Sequence, residues 1–153
     1  KSKKSSHFYN YELMKTINGG TQMKDVWNLP AISPWEKSCG KHPTQKPLAL
    51  LTRIILASTE KNAWILDPFT GSSTTGIAAN LSNRKFLGID KEEEFLNISK
   101  NRRLEIENPQ IFGTYRKKLG GFEDKNQLEL FLAKEPEIEY ERSLDFDKIT
   151  ASP

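Results

Sequence analysis

Cysteine is almost absent: Cys39 stands alone among 153 residues, so the chain can form no internal disulfide and cannot build a cysteine zinc site. That usage fits a reducing compartment, with Cys39 an ordinary loop residue. No apolar run approaches the roughly 20 residues that span a bilayer, and the amino terminus has no signal-peptide pattern. A soluble, cytoplasmic protein with no membrane partner is therefore expected. Histidine is scarce as well, with only His7 and His42. Lacking a cysteine or acid cluster beside it, His42 reads as structural, and neither a metal site nor a catalytic base is predicted. An apolar content of 36% suffices for one modest core with appendages.

Charge is plentiful but unevenly placed. Residues 1–120 hold 19 Lys and Arg against 11 Asp and Glu, a net of +8, whereas residues 121–153 hold 4 against 9, a net of −5. A basic body suits a polyanion, because lysine and arginine displace condensed counterions from phosphates. Charge alone fits an ordinary solvated surface equally well.

The chain opens with a patternless basic stretch, KSKKSS. Phe8, Tyr11 and Met14 then recur every three residues and predict a short helix over 7–17, stopped by Gly19 and Gly20. A strand is predicted over 23–29 and a Pro/Gly-punctuated loop over 30–45. Pro47 can open a helix running to Ser58, because its missing N–H would have had no partner in a first turn. Leu48, Leu51, Ile54 and Ile55 would form the apolar face of that helix, with Leu50 and Leu56 widening it. Next come a buried strand over 63–66, a helix over 74–81, a strand over 85–89 and a helix over 92–106 with Phe95, Ile98 and Arg102 spaced along it. Strand, loop, helix, strand is the unit of a parallel, doubly wound sheet, so the fold class is α/β. Past Pro109 the pattern weakens; Asp124 can cap a helix to about Ala133, and the acidic stretch beyond Pro136 reads as disordered or laid on a partner.

One segment carries chemistry. Asp67, Pro68, Phe69, Thr70, Gly71, Ser72, Ser73, Thr74, Thr75 and Gly76 lie between an apolar strand and a helix. Small residues let backbone approach a ligand, and the helix that follows offers N–H groups and partial positive charge. Ligands in such sheets sit at the carboxyl ends of the strands. The second strand ends at Asp90, whose carboxylate can accept hydrogen bonds from ribose hydroxyls. Alone, GSSTTG is only moderately specific and Asp90 less so, since an acid after a strand often caps the next helix.

Taken in order, HPTQKP (42–47), LLTRIILAST (50–59), LDPFTGSSTTG (66–76) and GID (88–90) resemble motifs X, I and II of the circularly permuted beta group of DNA amino-methyltransferases. The resemblance covers about residues 23–105 and includes Val26 and Trp27 ahead of motif X. It implies a partial Rossmann-like methyltransferase fold that binds S-adenosylmethionine. By the same resemblance, Asp67, Phe69, Gly71, Ser72, Ser73, Thr74 and Thr75 would surround the methionine portion, Asp90 would hold the ribose, and Thr44 and Lys46 would bind the carboxylate. Ser73 departs from the pattern, because many relatives carry glycine there; serine suits the loop only where a positive φ is not required.

The motif that such enzymes use to hold the target amino group, Asp/Asn/Ser-Pro-Pro-aromatic, does not occur in the sequence. Asp67-Pro68-Phe69 has one proline too few, and Pro34-Trp35 also fails. The expectation is therefore a carboxy-terminal portion with no catalytic residue of its own. It would be divided into the end of a target-recognition region (1–40), a cofactor subdomain (41–115), and a terminal helix with an acidic tail (116–153). Its expected partners are double-stranded DNA and either a complementary amino-terminal polypeptide or a second copy, because a parallel sheet with one open side is incomplete. The resemblance favours adenine in a type II restriction–modification setting. A cytosine amino-methyltransferase and a non-catalytic DNA-binding or regulatory remnant are the alternatives. An RNA or small-molecule enzyme fits poorly, because motif X precedes motif I.

Overall fold

The computed structural model describes residues 7–40 and 42–120. The helix expected over 124–133 and the acidic stretch after it lie outside them. The centre of the fold is a strand–helix–strand unit. Strand β1 (Trp64–Asp67) pairs in parallel with β2 (Lys85–Gly88), Trp64 opposite Lys85 through Asp67 opposite Gly88. Helix α3 (Thr74–Leu81) crosses between them and buries Ile77, Ala78, Ala79 and Leu81 against the sheet and against α2 (Leu48–Ser58). Strand periodicity decides which side the core lies on: Ile65 and Phe86 point to the helices, and Trp64, Leu66 and Leu87 point away from them.

Leu48 and Ile55 of α2 enter the same core, which Ile106 and Leu119 close from the carboxy-terminal side. The buried row on α2 is Leu48, Thr52, Ile55 and Leu56, a 3.6-residue repeat; Ile54, expected on that face, lies to its side and is exposed. Buried Arg84 ties the ends of α2 and α3 together, donating to the Thr59 carbonyl (2.6 Å) and hydroxyl (3.1 Å). A smaller cluster joins α1 (Tyr11–Ile17) to α2 through Leu13, Met14, Leu56 and Ala57.

The differences from expectation have local causes. The first helix begins at Tyr11 rather than His7 because the Asn10 side chain caps it, accepting from Leu13 N–H at 3.3 Å. Its inward residues are Leu13 and Met14, while Phe8 and Tyr11 face outward. No strand forms over 23–29. The Trp27 indole instead donates to the Lys24 carbonyl (2.7 Å), closing a local turn, and the Arg53 guanidinium lies 5.0 Å from the ring centre. Within the expected loop, Pro34–Lys37 form a single 3-10 turn. Pro47 precedes α2 in extended geometry and does not enter the first turn.

Helix α4 (Glu93–Glu105) and the two strands fall within a residue or two of their expected bounds. Helix α5 (Pro109–Lys118) arises where the pattern is weak, started by Pro109 and by Asn108 accepting from the N–H groups of Gln110 and Ile111. It runs across residues 115 and 116, where a subdomain border was expected. Among the described residues no helix is long and apolar enough to cross a membrane.

Among the described residues no element packs on the far face of the sheet, where the Lys85 ammonium lies 5.6 Å from the Trp64 ring centre. Trp64, Leu66, Leu87 and Ile89 are each more than half exposed, with Trp64 at 69% and Leu66 at 61%. A contiguous apolar surface of this kind marks a packing site.

Two glycines offer opposite tests of the core. A Cβ at Gly76 would stand 2.5 Å from a Phe86 ring carbon and would also collide with Ser73 Oγ, whereas one at Gly113 on α5 would meet nothing within 4 Å. Gly76→Ala is expected to destabilise by about 1–3 kcal/mol through overpacking. Gly113→Ala should stabilise by about 0.5–1 kcal/mol through helix propensity. Urea unfolding midpoints measure both; equal effects would mean that α3 does not press on β2 as described.

Candidate cofactor site

The turn from β1 into α3 is held from three sides. Asp67, the last residue of β1, accepts from its own turn: Oδ1 from Phe69 N–H (3.1 Å) and Oδ2 from the Thr75 hydroxyl (2.7 Å). From just beyond the end of β2, Asp90 reaches across, Oδ2 accepting from Gly71 N–H (2.7 Å) while Oδ1 accepts from Glu92 N–H (3.1 Å). Helix α4 supplies the third side: Ser99 Oγ donates to the Gly71 carbonyl (2.7 Å), and Arg102 Nη1 donates to the Ser72 carbonyl (2.7 Å) and the Thr74 hydroxyl (3.1 Å). Thr70 N–H completes the frame, donating to the Ile89 carbonyl at 2.9 Å.

This frame fixes two left-handed residues, Gly71 at φ +51° and Ser73 at φ +58°. The positive φ that serine disfavours is present at Ser73, so serine occupies a glycine conformation there. Ser73 gives α3 no side-chain cap, and the helical ladder starts with Ile77 N–H donating to Ser73 C=O. The first N–H groups of α3, on Thr74, Thr75 and Gly76, thus have no acceptor inside the helix, an arrangement that favours a negative or electron-rich group in front of it.

The motif-X loop lies beside the same turn. A Cβ on Gly71 would stand 3.0 Å from His42 Nε2, a tight contact that adds to the strain a side chain meets at that positive φ. The His42 ring packs edge-on against Phe95, with centroids 4.2 Å apart, and its Nδ1 faces Thr44 N–H at 3.3 Å. Farther along, buried Glu36 does what no Ser or Asp does for α2: its Oε2 accepts from Leu48 N–H (2.7 Å), and its Oε1 from Ser33 N–H (3.2 Å). Gln45 NH2 donates to the Glu36 carbonyl (2.9 Å), fixing the loop that carries Thr44 and Lys46.

The structure thus brings Asp67, Gly71, Ser72, Ser73, Thr74, Thr75 and Asp90 into one bonded unit with His42 and the Thr44 loop alongside. It does not give them equal access. The side chains of Ser72, Ser73 and Thr74 are buried, so what they can offer a ligand is backbone. Phe69 projects outward at 88% exposure, and Thr44 and Lys46 are exposed. Backbone hydrogen bonds, from Glu92 first and then Gly71, hold the Asp90 carboxyl below the usual carboxylate range.

Ser99, Arg102 and Glu36 are the contributors that sequence reasoning did not assign. Arg102 left a signal, a cation spaced with Phe95 and Ile98 along one helix. Behind it, Ser38, Cys39 and Tyr115 all donate to Glu105 Oε2, at 3.0, 3.3 and 2.8 Å. Burial, with the bond to Glu105 adding, pushes the Tyr115 phenol up to about 12. Among the described residues no group of three or more His, Cys, Asp or Glu is placed to hold a metal.

A family model described as a DNA methylase, N6_N4_Mtase, matches residues 1–101. The type II methyltransferase M2.MboI of Moraxella bovis is 55% identical over 119 residues, 78% of this chain and 43% of its own length. The type II methyltransferase M2.LlaDCHI of Lactococcus lactis subsp. cremoris is 61% identical over 100 residues, 65% of this chain and 37% of its own. The chain therefore spans about two fifths of these relatives. Among solved structures, the M1.HpyAVI–SAM complex superposes with a TM-score of 0.52 at 36% identity, covering 66% of this chain and 46% of that one.

Asp90 gives a pH test of the frame. Its folded carboxyl ionises below the unfolded value, so its contribution is complete above the ordinary aspartate range and is lost as pH falls through the folded value. Asp90→Asn should flatten that part of the acid unfolding profile below about pH 4. A profile unchanged by the substitution would show that the Gly71 and Glu92 bonds do not hold the carboxylate.

Proposed function

The chain belongs to this DNA methylase family, and from that premise we propose that it is the S-adenosylmethionine-binding portion of a type II DNA amino-methyltransferase acting on adenine. The observation that carries the proposal is the strand-end carboxylate Asp90 bonded to Gly71 N–H at 2.7 Å, with the His42–Thr44 loop against that same glycine.

The donor and acceptor chemistry fits the cofactor. Each oxygen of Asp67 and Asp90 accepts one protein hydrogen bond, and a carboxylate has about four acceptor sites, so capacity remains for ribose and amino hydrogens. Exposed Lys46 and Thr44 suit a carboxylate, and the open first turn of α3 suits its electron-rich end. When bound, S-adenosylmethionine supplies an activated methyl group on its sulfonium. What this chain contributes is grip: Asp90 on the ribose, residues 71–75 and Asp67 around the methionine portion, Phe69 as an outward apolar wall, and Lys46 with Thr44 on the carboxylate.

Holding the target amino group falls to residues outside these 153, since no Asp/Asn/Ser-Pro-Pro-aromatic motif is present. The bare face of Trp64, Leu66, Leu87 and Ile89 supports a complementary polypeptide carrying that motif, or a second copy, as the partner that completes the sheet. With that partner the protein would act in the cytoplasm on double-stranded DNA, swinging the base out of the stack to reach its amino group. Residues 1–40 would end the target-recognition region, 41–115 form the cofactor subdomain and 116–153 the terminal appendage.

Calorimetric titration with S-adenosylmethionine, of the chain alone and then with a polypeptide supplying the remaining motifs, tests this reading. Saturable binding is expected in at least the second setting. Asp90→Ala and Lys46→Ala should each weaken binding about tenfold or more, the value of a charged hydrogen bond. Absence of binding in both settings would leave a non-catalytic DNA-binding role as the surviving account.

A further inference from the structure

Arg102 is an expensive residue to place where it is. It is 3% exposed, and among the described residues it forms no ion pair and leaves Nη2 buried with no hydrogen-bond partner. A buried cation without a bonded counter-charge is tolerated only where the surrounding structure compensates. Everything its guanidinium does bond is on the cofactor turn: the Ser72 carbonyl, the Thr74 hydroxyl and, at 3.4 Å, the Ser72 hydroxyl. These groups flank one residue, Ser73, which stands at φ +58° without being glycine. An L-residue in that region is strained and persists where neighbours over-determine it.

We propose that Arg102 is a positioning residue that clamps the chain on either side of Ser73 and so holds the cofactor turn in its left-handed form. The proposal rests on the cofactor reading above for its functional consequence, but the clamp itself does not. Ser99, one helical turn before Arg102, donates to the preceding carbonyl, that of Gly71, so α4 grips two successive carbonyls from one face. With their carbonyls drawn toward α4, Gly71 and Ser72 are fixed against the helix, and the turn enters α3 with its first N–H groups directed away from its own ladder. A lysine could keep the charge of Arg102 but not the planar fork that reaches both flanking groups.

A clamp on Ser73 makes a specific demand: it should matter less once residue 73 is content to be left-handed. The test is a double-mutant cycle in the full chain of Arg102→Lys, Ser73→Gly and the pair. It is read by amide exchange of residues 71–75 and, together with the complementary polypeptide, by S-adenosylmethionine affinity. In the serine background Arg102→Lys should speed exchange in the turn and weaken affinity, each about tenfold. In the glycine background both losses should shrink to about threefold or less. Equal losses in the two backgrounds would overturn the proposal and leave Arg102 a general packing residue. Should Arg102→Lys fail to fold, Thr74→Val removes one arm of the clamp. A smaller loss that Ser73→Gly suppresses supports the clamp, and one that it does not suppress refutes it. If the unaltered protein binds no S-adenosylmethionine, the cofactor reading fails, and the exchange cycle still decides the clamp.

Discussion

Buried peptide groups must be bonded, and the turn of residues 70–73 is buried backbone at the end of a two-stranded sheet. A sheet this narrow cannot bond it alone. The partners come from everywhere else: a carbonyl and a carboxylate from Ile89 and Asp90 just beyond the end of β2, and a hydroxyl and a guanidinium on α4. The turn thereby becomes the point at which strand and helix are tied together. Its left-handed residues, the closeness of His42 and the burial of Arg102 are all consequences of satisfying it.

How much of this the sequence disclosed depends on whether the signal was local. The strands, α2, α3 and α4 were legible because each is a run of apolar periodicity bounded by proline, glycine or a polar turn. So was the grouping of Asp67, Gly71 to Thr75 and Asp90, since a glycine turn between strand and helix followed by an acid at the next strand end is a compact pattern. Residues 23–29 read as a strand on composition, but a strand needs a neighbour, and among the described residues none pairs with them; the Trp27 indole N–H closes a local turn on the Lys24 carbonyl. Helix α5 was missed because Tyr115, its buried residue, finds partners outside the helix, at Glu105 and, far back in the chain, at Trp35 and Ser38. Glu36 and Arg102 belong to the same class: nothing near them in the chain says that one caps α2 and the other grips the turn.

The two faces of the sheet differ in kind. The covered face carries the helices that shape the turn, and the other face carries Trp64, Leu66, Leu87 and Ile89, each more than half exposed among the described residues. The type II methyltransferase M2.MboI matches this chain over only 43% of its own length, which leaves it further chain that could cover such a face. The turn itself is held by residues of this chain, from β1, α4 and the segment after β2.

The seam between α4 and α5 closes on a single oxygen of Glu105, on which Ser38, Cys39 and Tyr115 converge. Partial burial and the bond to that carboxylate push the Cys39 thiol above its ordinary ionisation range. A thiol kept protonated and engaged reacts slowly with alkylating reagents, and this one regains ordinary reactivity when the seam parts. Having only one cysteine, the chain carries its own chemical gauge of how often that corner breathes.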